Sequence, residues 1–507
     1  MHKRNLLIPF LILLSSCQFL PNSSSNSSNI KTSSSSLISS SSIYVNDDLW
    51  DTSQNDLRKN SRTYEFYNLN DFHGTTENST SEPGINRLST YLKKQKQSAQ
   101  DNDKTFILTS SGDMWQGSAD SNITRGRLVT DWMNLLGFEA MTFGNHEFDW
   151  TIDTIKDNQK RANFPFLACN ILNKSDNQLA DFATPYTTIT RDGLRIGIIG
   201  AIGEGLTSSI LATNVKDVTF ARPGPIVDEY AKYLKDNGAD IILYLLHSSS
   251  NSVIYDTEYM TYVDMAFLGH THTFEDVNAP IPMLQGSCNG KGISHFSFSY
   301  DFNNNSIIKS SFKQENIYSN YVISSYTEED KETKAIYDKY LNEEINEVKN
   351  EVVGYTSFEI DRDSLVDKLL VYMNSYYEKE LKEQCNNLDL FVVEHNNARS
   401  YIPSGNITYG SIYKALPFDN SICLVKTKYS FFNDIQDGFK SYSSAHFYYP
   451  NGEKELSDDS DIYILTIDYV ATYANYEGKV EILYQFFDIF PRDIFKMYCH
   501  NDYPLNN

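Results

Sequence analysis

The stretch from Phe143 to Asp149 reads FGNHEFD and begins with the last residue of a short apolar run, Met141 to Phe143. An apolar run of this kind is typical of a buried strand, and the glycine lets the backbone turn closely after it. Amide, imidazole and carboxylate side chains then follow in close succession, and these groups bind divalent metals of intermediate softness. The stretch therefore predicts a ligand-bearing loop at the end of a strand.

The same arrangement occurs at four other places, each after an apolar run. These fragments are NDFHG (70–74), SGDMWQGS (111–118), LLHS (245–248) and LGHTHT (268–273). One fragment alone is weak evidence, because such sequences are usually turns and a single histidine is often a core residue. Together, FGNHEFD and these four fragments contain five of the ten histidines, as well as Asp71, Asp113 and Asn145. Since strand ends of an open α/β sheet share one edge, the set predicts a single metal centre.

The pattern of apolar residues predicts two folded regions. Between about residues 63 and 301, short apolar runs alternate with amphipathic segments of helical period, which indicates an α/β layered domain. Residues 326–352 are rich in charge and have apolar residues at helical spacing, so they predict a connecting helix. From about residue 353 onward, helix and strand patterns indicate a separate α+β domain.

The five fragments, in this order, resemble the calcineurin-like metallophosphoesterase domain and, in detail, its 5′-nucleotidase family. The resemblance extends to the phrases PGINRLSTYL, NLLGFEAM, NFPFLACNIL and RDGLRIGIIG. It implies a four-layer α/β/β/α sandwich for residues 61–325. The helix of residues 326–352 would join this sandwich to a smaller α+β substrate-binding domain, residues 353–507.

The resemblance also implies two divalent metal ions, which the sequence does not identify among Mn, Zn, Ca, Co and Mg. One ion would be held by Asp71, His73 and His272, the other by Asn145, His247 and His270, with Asp113 bridging the two. His146 would stabilise the transition state or protonate the leaving oxygen, and Asp149 would orient it. An acid at a helix N-terminus is the alternative for Asp149. Position 272 departs from the closest nucleotidases, which often have an amide there.

Residues 394–428 resemble the nucleotide-binding domain of the same family. Arg399 falls on the position of an arginine that meets the phosphate, and Phe418 on that of an aromatic ring that stacks on the base. A surface arginine and a core phenylalanine are the ordinary alternatives. The family's further arginine is not apparent around residues 364–373. Its late glycine-rich turn is replaced here, so Tyr473 or Tyr476 would supply the second stacking ring.

The first residues predict export. Residues 1–17 have a basic start, an apolar run from Leu6 to Leu14 that is too short to cross a bilayer, and a tetrad ending in Cys17. The tetrad resembles a bacterial lipobox, which implies a lipid on Cys17 and a location on the outer face of the cell membrane. An ordinary signal peptide is the alternative. The Ser-rich residues 18–60 predict a tether.

Composition limits the substrates and the cysteine chemistry. The formal net charge of -23 argues against binding a long nucleic acid, although a metal site can still attract a small phosphorylated substrate. The cysteines after Cys17 form no CxxC pair, so neither a disulfide framework nor a zinc ribbon is indicated, and we expect buried thiols.

The leading hypothesis is hydrolysis of nucleoside 5′-monophosphates to nucleoside and phosphate. The alternatives are a 2′,3′-cyclic-nucleotide phosphodiesterase with 3′-nucleotidase activity, a nucleotide-sugar hydrolase, and a surface binding protein that retains the fold. The sequence makes no prediction about the oligomeric state.

Overall fold

The computed structural model describes residues 49–210, 214–385, 390–395, 398–441, 444–472, 476, 478–486 and 489–501. Cys17 and the rest of the predicted signal peptide lie outside them. From Trp50 onward the described residues belong to one compact unit. The Trp50 indole donates to the carbonyl of Asn237 at 2.7 Å, and Arg58 pairs with Asp240 at 2.5 Å. Trp50 and Arg58, which fall within the range predicted as a tether, therefore already pack on the first domain.

The first domain consists of strands, helices and short connections. Its strands are β1 (Ser61–Leu69), β2 (Lys104–Ser110), β3 (Ala140–Thr142), β4 (Phe166–Leu167), β5 (Ile171–Asn173), β6 (Tyr186–Arg191), β7 (Leu194–Ile202), β8 (Val218–Phe220), β9 (Ile241–His247), β10 (Met265–Leu268), β11 (Phe274–Val277), β12 (Met283–Gly286), β13 (Gly292–Asp301), β14 (Ser306–Ile307) and β15 (Lys313–Tyr318). Its helices are α1 (Gly84–Asp101), α2 (Ala119–Ile123), α3 (Arg127–Leu136), α4 (Ile152–Arg161), α5 (Pro223–Asp236), α6 (Ser250–Tyr255) and α7 (Ser319–Ser325).

Within the described part of the chain, most of these strands form two facing sheets. One has the order β14-β13-β1-β2-β3-β4, with β15 also paired to β13, and the other has the order β11-β12-β10-β9-β7-β6. Side chains such as Phe66, Leu243 and Phe298 fill the space between the sheets. Helices α1 and α3 cover the outer face of the first sheet, and α5 covers that of the second. This confirms the predicted four-layer α/β/β/α sandwich.

Parallel strands bring the predicted ligand loops to one edge. Strands β1, β2 and β3 are parallel neighbours in the first sheet, and β9 and β10 are parallel neighbours in the second. Strand β9 is buried along its whole length, as its continuous apolar run predicts for a strand covered on both faces. The quoted fragments lie at the carboxyl ends of these five strands: His247 is the last residue of β9, and the ligands of the other fragments lie in the loops that follow their strands.

The predicted connecting helix is interrupted by a wider turn. It contains α8 (Lys331–Tyr340), a π-helical turn (Leu341–Ile345) and α9 (Asn346–Lys349). The side chains of Tyr340 and Ile345 are buried against Leu128 of α3. The connection therefore packs on the first domain before it enters the second.

The C-terminal domain has its own sheet and core. Its elements are β16 (Val352–Thr356), α10 (Arg362–Tyr376), α11 (Glu378–Cys385), β17 (Leu390–His395), β18 (Gly405–Thr408), α12 (Tyr409–Ala415), β19 (Ile422–Lys428), α13 (Tyr429–Asn433), β20 (Ala445–Tyr448), β21 (Asp461–Ile467), α14 (Asp468–Ala471), β22 (Glu481–Phe486) and α15 (Pro491–Asn501). The main sheet has the order β20-β17-β21-β19-β22. Among the described helices, none is both long enough and apolar enough to pass through a bilayer.

Candidate active site

The first ligand group lies between the loops that follow β1, β2 and β10. One ligand atom from each of Asp71, His73, Asp113 and His272 lies within 4.8 Å of the others. The Nε2 atoms of His73 and His272 face each other at 2.9 Å, and Nε2 of His272 is 3.3 Å from Oδ1 of Asp71. Imidazoles and carboxylates that converge in this way form a site for a divalent cation.

The second ligand group lies beside the first and shares one member with it. Ligand atoms of Asp113, His247 and His270 lie within 4.8 Å of one another. Oδ1 of Asn145 is 3.2 Å from Nε2 of His247 and 3.0 Å from Nδ1 of His270. Because Asp113 belongs to both groups, its two carboxylate oxygens can bridge two ions. The structure thus brings together the seven residues predicted as metal ligands.

Backbone carbonyls orient two of the imidazoles. Nδ1 of His73 donates to the carbonyl of Gln116 at 2.9 Å, and Nδ1 of His247 donates to that of Ser111 at 2.7 Å. Each hydrogen bond places the ring proton on Nδ1 and leaves the Nε2 lone pair directed into the ligand group. Since a neutral imidazole binds a metal through the ring nitrogen that carries no proton, the residues present fit a pair of divalent ions.

Most of the ligands have an unusual backbone conformation. The φ angle is 49° at Asp71, 51° at His73, 55° at Asp113, 80° at His270 and 59° at His272. Left-handed backbone costs a non-glycine residue about 1–3 kcal/mol and persists where the surrounding structure fixes it. Its concentration at the predicted ligands indicates that these loops are shaped for the site.

Glu147 is not among the predicted site residues, although it lies inside the FGNHEFD stretch. Its buried carboxylate accepts hydrogen bonds from the backbone N–H groups of Asp113 and Met114 at 2.9 Å and of Gly144 at 2.7 Å. Burial and the charge of Asp113 raise the pKa of Glu147 to about 7, against the opposing effect of these hydrogen bonds. Glu147 therefore joins the loop that carries Asp113 to the loop that carries Asn145.

Asn70 is a second unpredicted residue with a role at the site. Its side-chain amide donates to Oδ2 of Asp71 at 2.7 Å and to the carbonyl of Ser287 at 2.6 Å, and its Oδ1 accepts from the N–H of Gly286 at 2.9 Å. Asn70 thereby fixes the orientation of the Asp71 carboxylate. Its position immediately before the first ligand is the sequence signal that points to it.

His146 lies next to the ligands without belonging to either group. Its backbone N–H donates to Oδ1 of Asp113 at 2.8 Å, and its ring Nδ1 donates to Oδ2 of Asp149 at 2.6 Å. Burial lowers the pKa of this imidazole, whereas the charges of Asp149 and Asp113 raise it, and the net pKa is about 9. Asp149 therefore orients His146 and favours its protonated form, which supports the predicted role over that of a helix-terminal acid.

A cavity of about 250 Å³ adjoins the second ligand group and extends to the C-terminal domain. On the far side it is lined by Arg399, Phe418 and Tyr469. The guanidinium carbon of Arg399 is 5.0 Å from the ring centroid of Phe418, and the Phe418 ring lies 6.1 Å from the ring of His146 at an angle of 26°. The predicted phosphate-binding and base-stacking residues are thus brought next to the metal ligands.

One of the two tyrosines predicted for stacking, Tyr476, lies away from this cavity. Tyr476 is 1% exposed and packs against Phe431 and Phe439 in the core of the C-terminal domain. The stacking role predicted for Tyr476 is therefore wrong, and the tyrosine that lines the cavity is Tyr469. Tyr473 lies outside the described residues, and its role stays a prediction.

A further arginine lies close to Arg399, although none is apparent in the expected segment. Arg362, the first residue of α10, donates through Nε to the carbonyl of Ala398 at 2.7 Å. Burial lowers the pKa of Arg399, and the charge of Arg362 lowers it further. Arg399 lines the cavity and, within the described ranges, has no carboxylate at ion-pair distance, so its guanidinium suits an anion such as phosphate, whereas Arg362 is exposed and supports the backbone next to it.

Among the cysteines whose side chains the structure describes, the prediction of burial is confirmed at three positions and is wrong at one. Cys169, Cys423 and Cys499 are buried. Cys288 is half-buried and lines a second cavity beside His272. The difference arises because Cys288 lies in a loop after β12 and not inside a strand or helix.

Residues 65–274 match the family model of the calcineurin-like phosphoesterases. This part of the chain is a calcineurin-like phosphoesterase domain. The match encloses every predicted metal ligand, from Asp71 to His272. It confirms the family that the strand-end fragments indicate.

Two curated proteins similar to the chain are snake venom 5′-nucleotidases. The protein from Gloydius brevicauda is 26% identical over 351 residues, which cover 62% of this chain and 54% of the relative. The protein from Crotalus adamanteus is 27% identical over 328 residues, which cover 58% and 50%. The match thus spans about half the length of these relatives.

A solved structure extends the similarity in fold beyond the phosphoesterase domain. The 5′-nucleotidase precursor from Thermus thermophilus superposes with a TM-score of 0.67 at 17% identity, covering 87% of this chain and 96% of that one. The similarity therefore includes the arrangement of a phosphoesterase domain followed by a C-terminal domain.

Proposed function

We propose that the chain is a two-metal phosphohydrolase that releases phosphate from nucleoside 5′-monophosphates. The observation that carries the proposal is the convergence of two ligand groups that share Asp113, beside a cavity whose far wall holds Arg399 and Phe418. The names of the curated relatives support a nucleotide as the substrate.

The two ligand groups supply the sites for the ions. Asp71, His73 and His272 would hold one ion, Asn145, His247 and His270 the other, and Asp113 would contact both. When bound, the ions supply an activated water and neutralise charge on the phosphoryl oxygens.

The side chains around the ions have separate tasks. Arg399 binds the phosphate through charge-assisted hydrogen bonds, and the Phe418 ring accepts the face of the base. His146 holds its proton on the side that faces the substrate and gives it to the leaving oxygen, because Asp149 occupies the other ring nitrogen.

Product analysis tests the proposal. The full chain, with Cys17→Ser to prevent lipid attachment, is stripped of metal and supplied with Mn²⁺, Zn²⁺ or Ca²⁺. We expect AMP to yield adenosine and phosphate. Hydrolysis of 2′,3′-cyclic AMP in preference to AMP would indicate the phosphodiesterase instead. Binding of AMP with no phosphate release under any metal would indicate a binding protein that retains the fold.

The second cavity favours a nucleotide-sugar hydrolase as the other candidate. This cavity of about 450 Å³ adjoins His73 and is also lined by Arg399 and Lys414, whereas Lys349 in its wall is paired with Glu77 and Asp120. Arg399 and Lys414 suit the second phosphate of a pyrophosphate-linked substrate. This candidate requires that UDP-glucose yields UMP and glucose 1-phosphate, and that Lys414→Ala slows this reaction more than the hydrolysis of UMP. Lys339→Ala is the matched control, since Lys339 is also an exposed lysine in the last turn of a helix.

We further propose that the chain is exported and anchored to the outer face of the cell membrane by a lipid on Cys17. The basic start, short apolar run and lipobox-like tetrad of residues 1–17 support this. Cys17→Ser should move the protein from the membrane fraction to the soluble fraction. An unchanged distribution would contradict the anchor.

A further inference from the structure

The loop that carries Phe418 is attached to the first domain. We call residues 416–420 the Phe418 loop. The side-chain amide of Asn122 donates to the carbonyl of Pro417 at 3.0 Å, and Arg125 pairs with Asp419 at 2.5 Å. The residues on either side of Phe418 are therefore both held by the phosphoesterase domain.

The same part of the first domain supports a metal ligand. The carbonyl of Gln116 accepts the Nδ1 proton of His73, and the next residue, Gly117, packs against the His73 backbone. A Cβ atom at Gly117 would lie 2.5 Å from the carbonyl oxygen of His73. Residues 116–125 thus contact the metal centre at one end and the Phe418 loop at the other.

Asn122 connects these two contacts through one side chain. Its Oδ1 accepts from the N–H of Gly117 at 3.0 Å, while its Nδ2 donates to Pro417, and the side chain is 1% exposed. The amide oxygen therefore contacts the first domain, and the amide nitrogen contacts the C-terminal domain. A buried amide with both groups paired has one favourable orientation, so it fixes the spacing between the groups it joins.

Arg125 holds the other side of the loop. Its guanidinium lies 5.3 Å from the ring centroid of Trp150 while it pairs with Asp419. Asp419 also pairs with Arg492, which donates to the carbonyl of Phe418 at 2.8 Å. Three consecutive residues of the Phe418 loop are thus fixed by side chains from both domains.

We infer that Asn122 and Arg125 are positioning residues that set the place of the Phe418 ring over the metal centre and thereby determine affinity for the nucleobase. The inference rests on the proposed function, because it assigns the Phe418 ring to the base of the substrate. Neither residue touches the phosphate or the ligand atoms in the contacts described above. Changing them should therefore affect base binding and leave the chemistry at phosphorus intact.

The Asn122→Asp variant separates this role from a structural one. It keeps an oxygen that accepts from Gly117, but it places a carboxylate oxygen where the donor to Pro417 stood. We expect KM for AMP and the Kd for adenosine, measured by equilibrium dialysis, to rise about tenfold, because a carboxylate oxygen would face the Pro417 carbonyl, which keeps only the longer 3.5 Å contact with Nε2 of Gln116. The kcat for AMP and the kcat/KM for glycerol phosphate, which has no base, should stay within about twofold.

Two further variants complete the test. Arg125→Ala should also raise KM for AMP selectively. Asn170→Asp is the matched control, because Asn170 is a buried amide that bridges the backbone at Ile202 and Ala221 away from the cavity. We expect it to lower stability without changing the ratio of KM values for the two substrates.

The outcomes distinguish the inference from the proposed function. Equal losses on AMP and glycerol phosphate, or a weakened affinity for Mn²⁺ in Asn122→Asp, would show a structural role and overturn the inference. An unchanged KM for AMP in both positioning variants would overturn it while leaving the proposed function in place. A wild-type chain that hydrolyses neither substrate would overturn both.

Discussion

The metal centre and the Phe418 loop are built in different ways. The metal ligands lie at or just after the carboxyl ends of parallel strands of one domain, and backbone carbonyls of the same domain orient two of their rings. The Phe418 loop is fixed by side chains distant along the chain, since Asn122 and Pro417 are 295 residues apart. The comparison indicates that the metal centre is built within one domain from the ends of neighbouring strands, whereas the position of the Phe418 loop depends on the contact between domains.

Removing the shared ligand should have the largest effect. Asp113→Asn leaves an amide that donates a hydrogen bond where two ions need a charged oxygen, so we expect kcat/KM to fall by about 10⁴-fold or more for every phosphate ester. Asp157→Asn, at an exposed acid, serves as the control. A variant that kept one tenth of the wild-type rate would show that Asp113 does not bridge.

The second largest effect is expected from His146, which lies outside both ligand groups and acts on the breaking bond and not on ion binding. His146→Ala should lower kcat for AMP by about 10²- to 10⁴-fold, because the leaving alkoxide needs a proton. The loss should be much smaller for p-nitrophenyl phosphate, whose leaving group is a stable anion. An equal loss on both esters would assign His146 to charge stabilisation, and an unchanged rate would remove it from the reaction.

A smaller effect is expected from the residue that supports Asp71. Asn70→Ala should weaken Mn²⁺ affinity by about 10- to 100-fold and leave kcat at saturating Mn²⁺ largely intact, since loss of support for a ligand acts on metal affinity. Asn170→Ala removes a comparable buried amide away from the site. Titration of both variants with Mn²⁺ measures this, and equal metal affinities would contradict the support of Asp71 by Asn70.

The smallest effect concerns the base. Phe418→Ala should raise KM for AMP roughly tenfold, because stacking of one base on an aromatic ring contributes about 1–3 kcal/mol. Hydrolysis of glycerol phosphate should not change. Steady-state kinetics on both substrates measures this, and a parallel loss on glycerol phosphate would place Phe418 in the metal centre and erase the contrast between the two regions.

The sequence predicts the metal centre well because its information is local. Each ligand of the two groups lies within a few residues of an apolar run, and the runs form parallel strands whose ends meet. Asn70 and Glu147 lie inside the same fragments, but their roles depend on which backbone N–H and carbonyl groups they reach. Those partners follow from the folded loops and not from residue type.

The side of the cavity formed by the C-terminal domain is predicted only in part by the local sequence pattern. Arg399 and Phe418 are found where the family resemblance predicts them, because the surrounding loop keeps the pattern. Tyr476 packs into the core, and Tyr469 at the start of α14 lines the cavity instead. Spacing along the chain could not decide this, since it depends on how the segment after β21 packs against the aromatic core of the domain.

The central claim is that two ions, joined by Asp113, act at one centre, and metal stoichiometry measured together with turnover tests it most directly. Chain stripped of metal should be inactive and should regain phosphate release from AMP as Mn²⁺ is added, with two ions bound per chain at full rate. Asp113→Asn should neither reach two ions nor recover. Full activity in the stripped chain, or full rate with a single ion bound, would contradict the account.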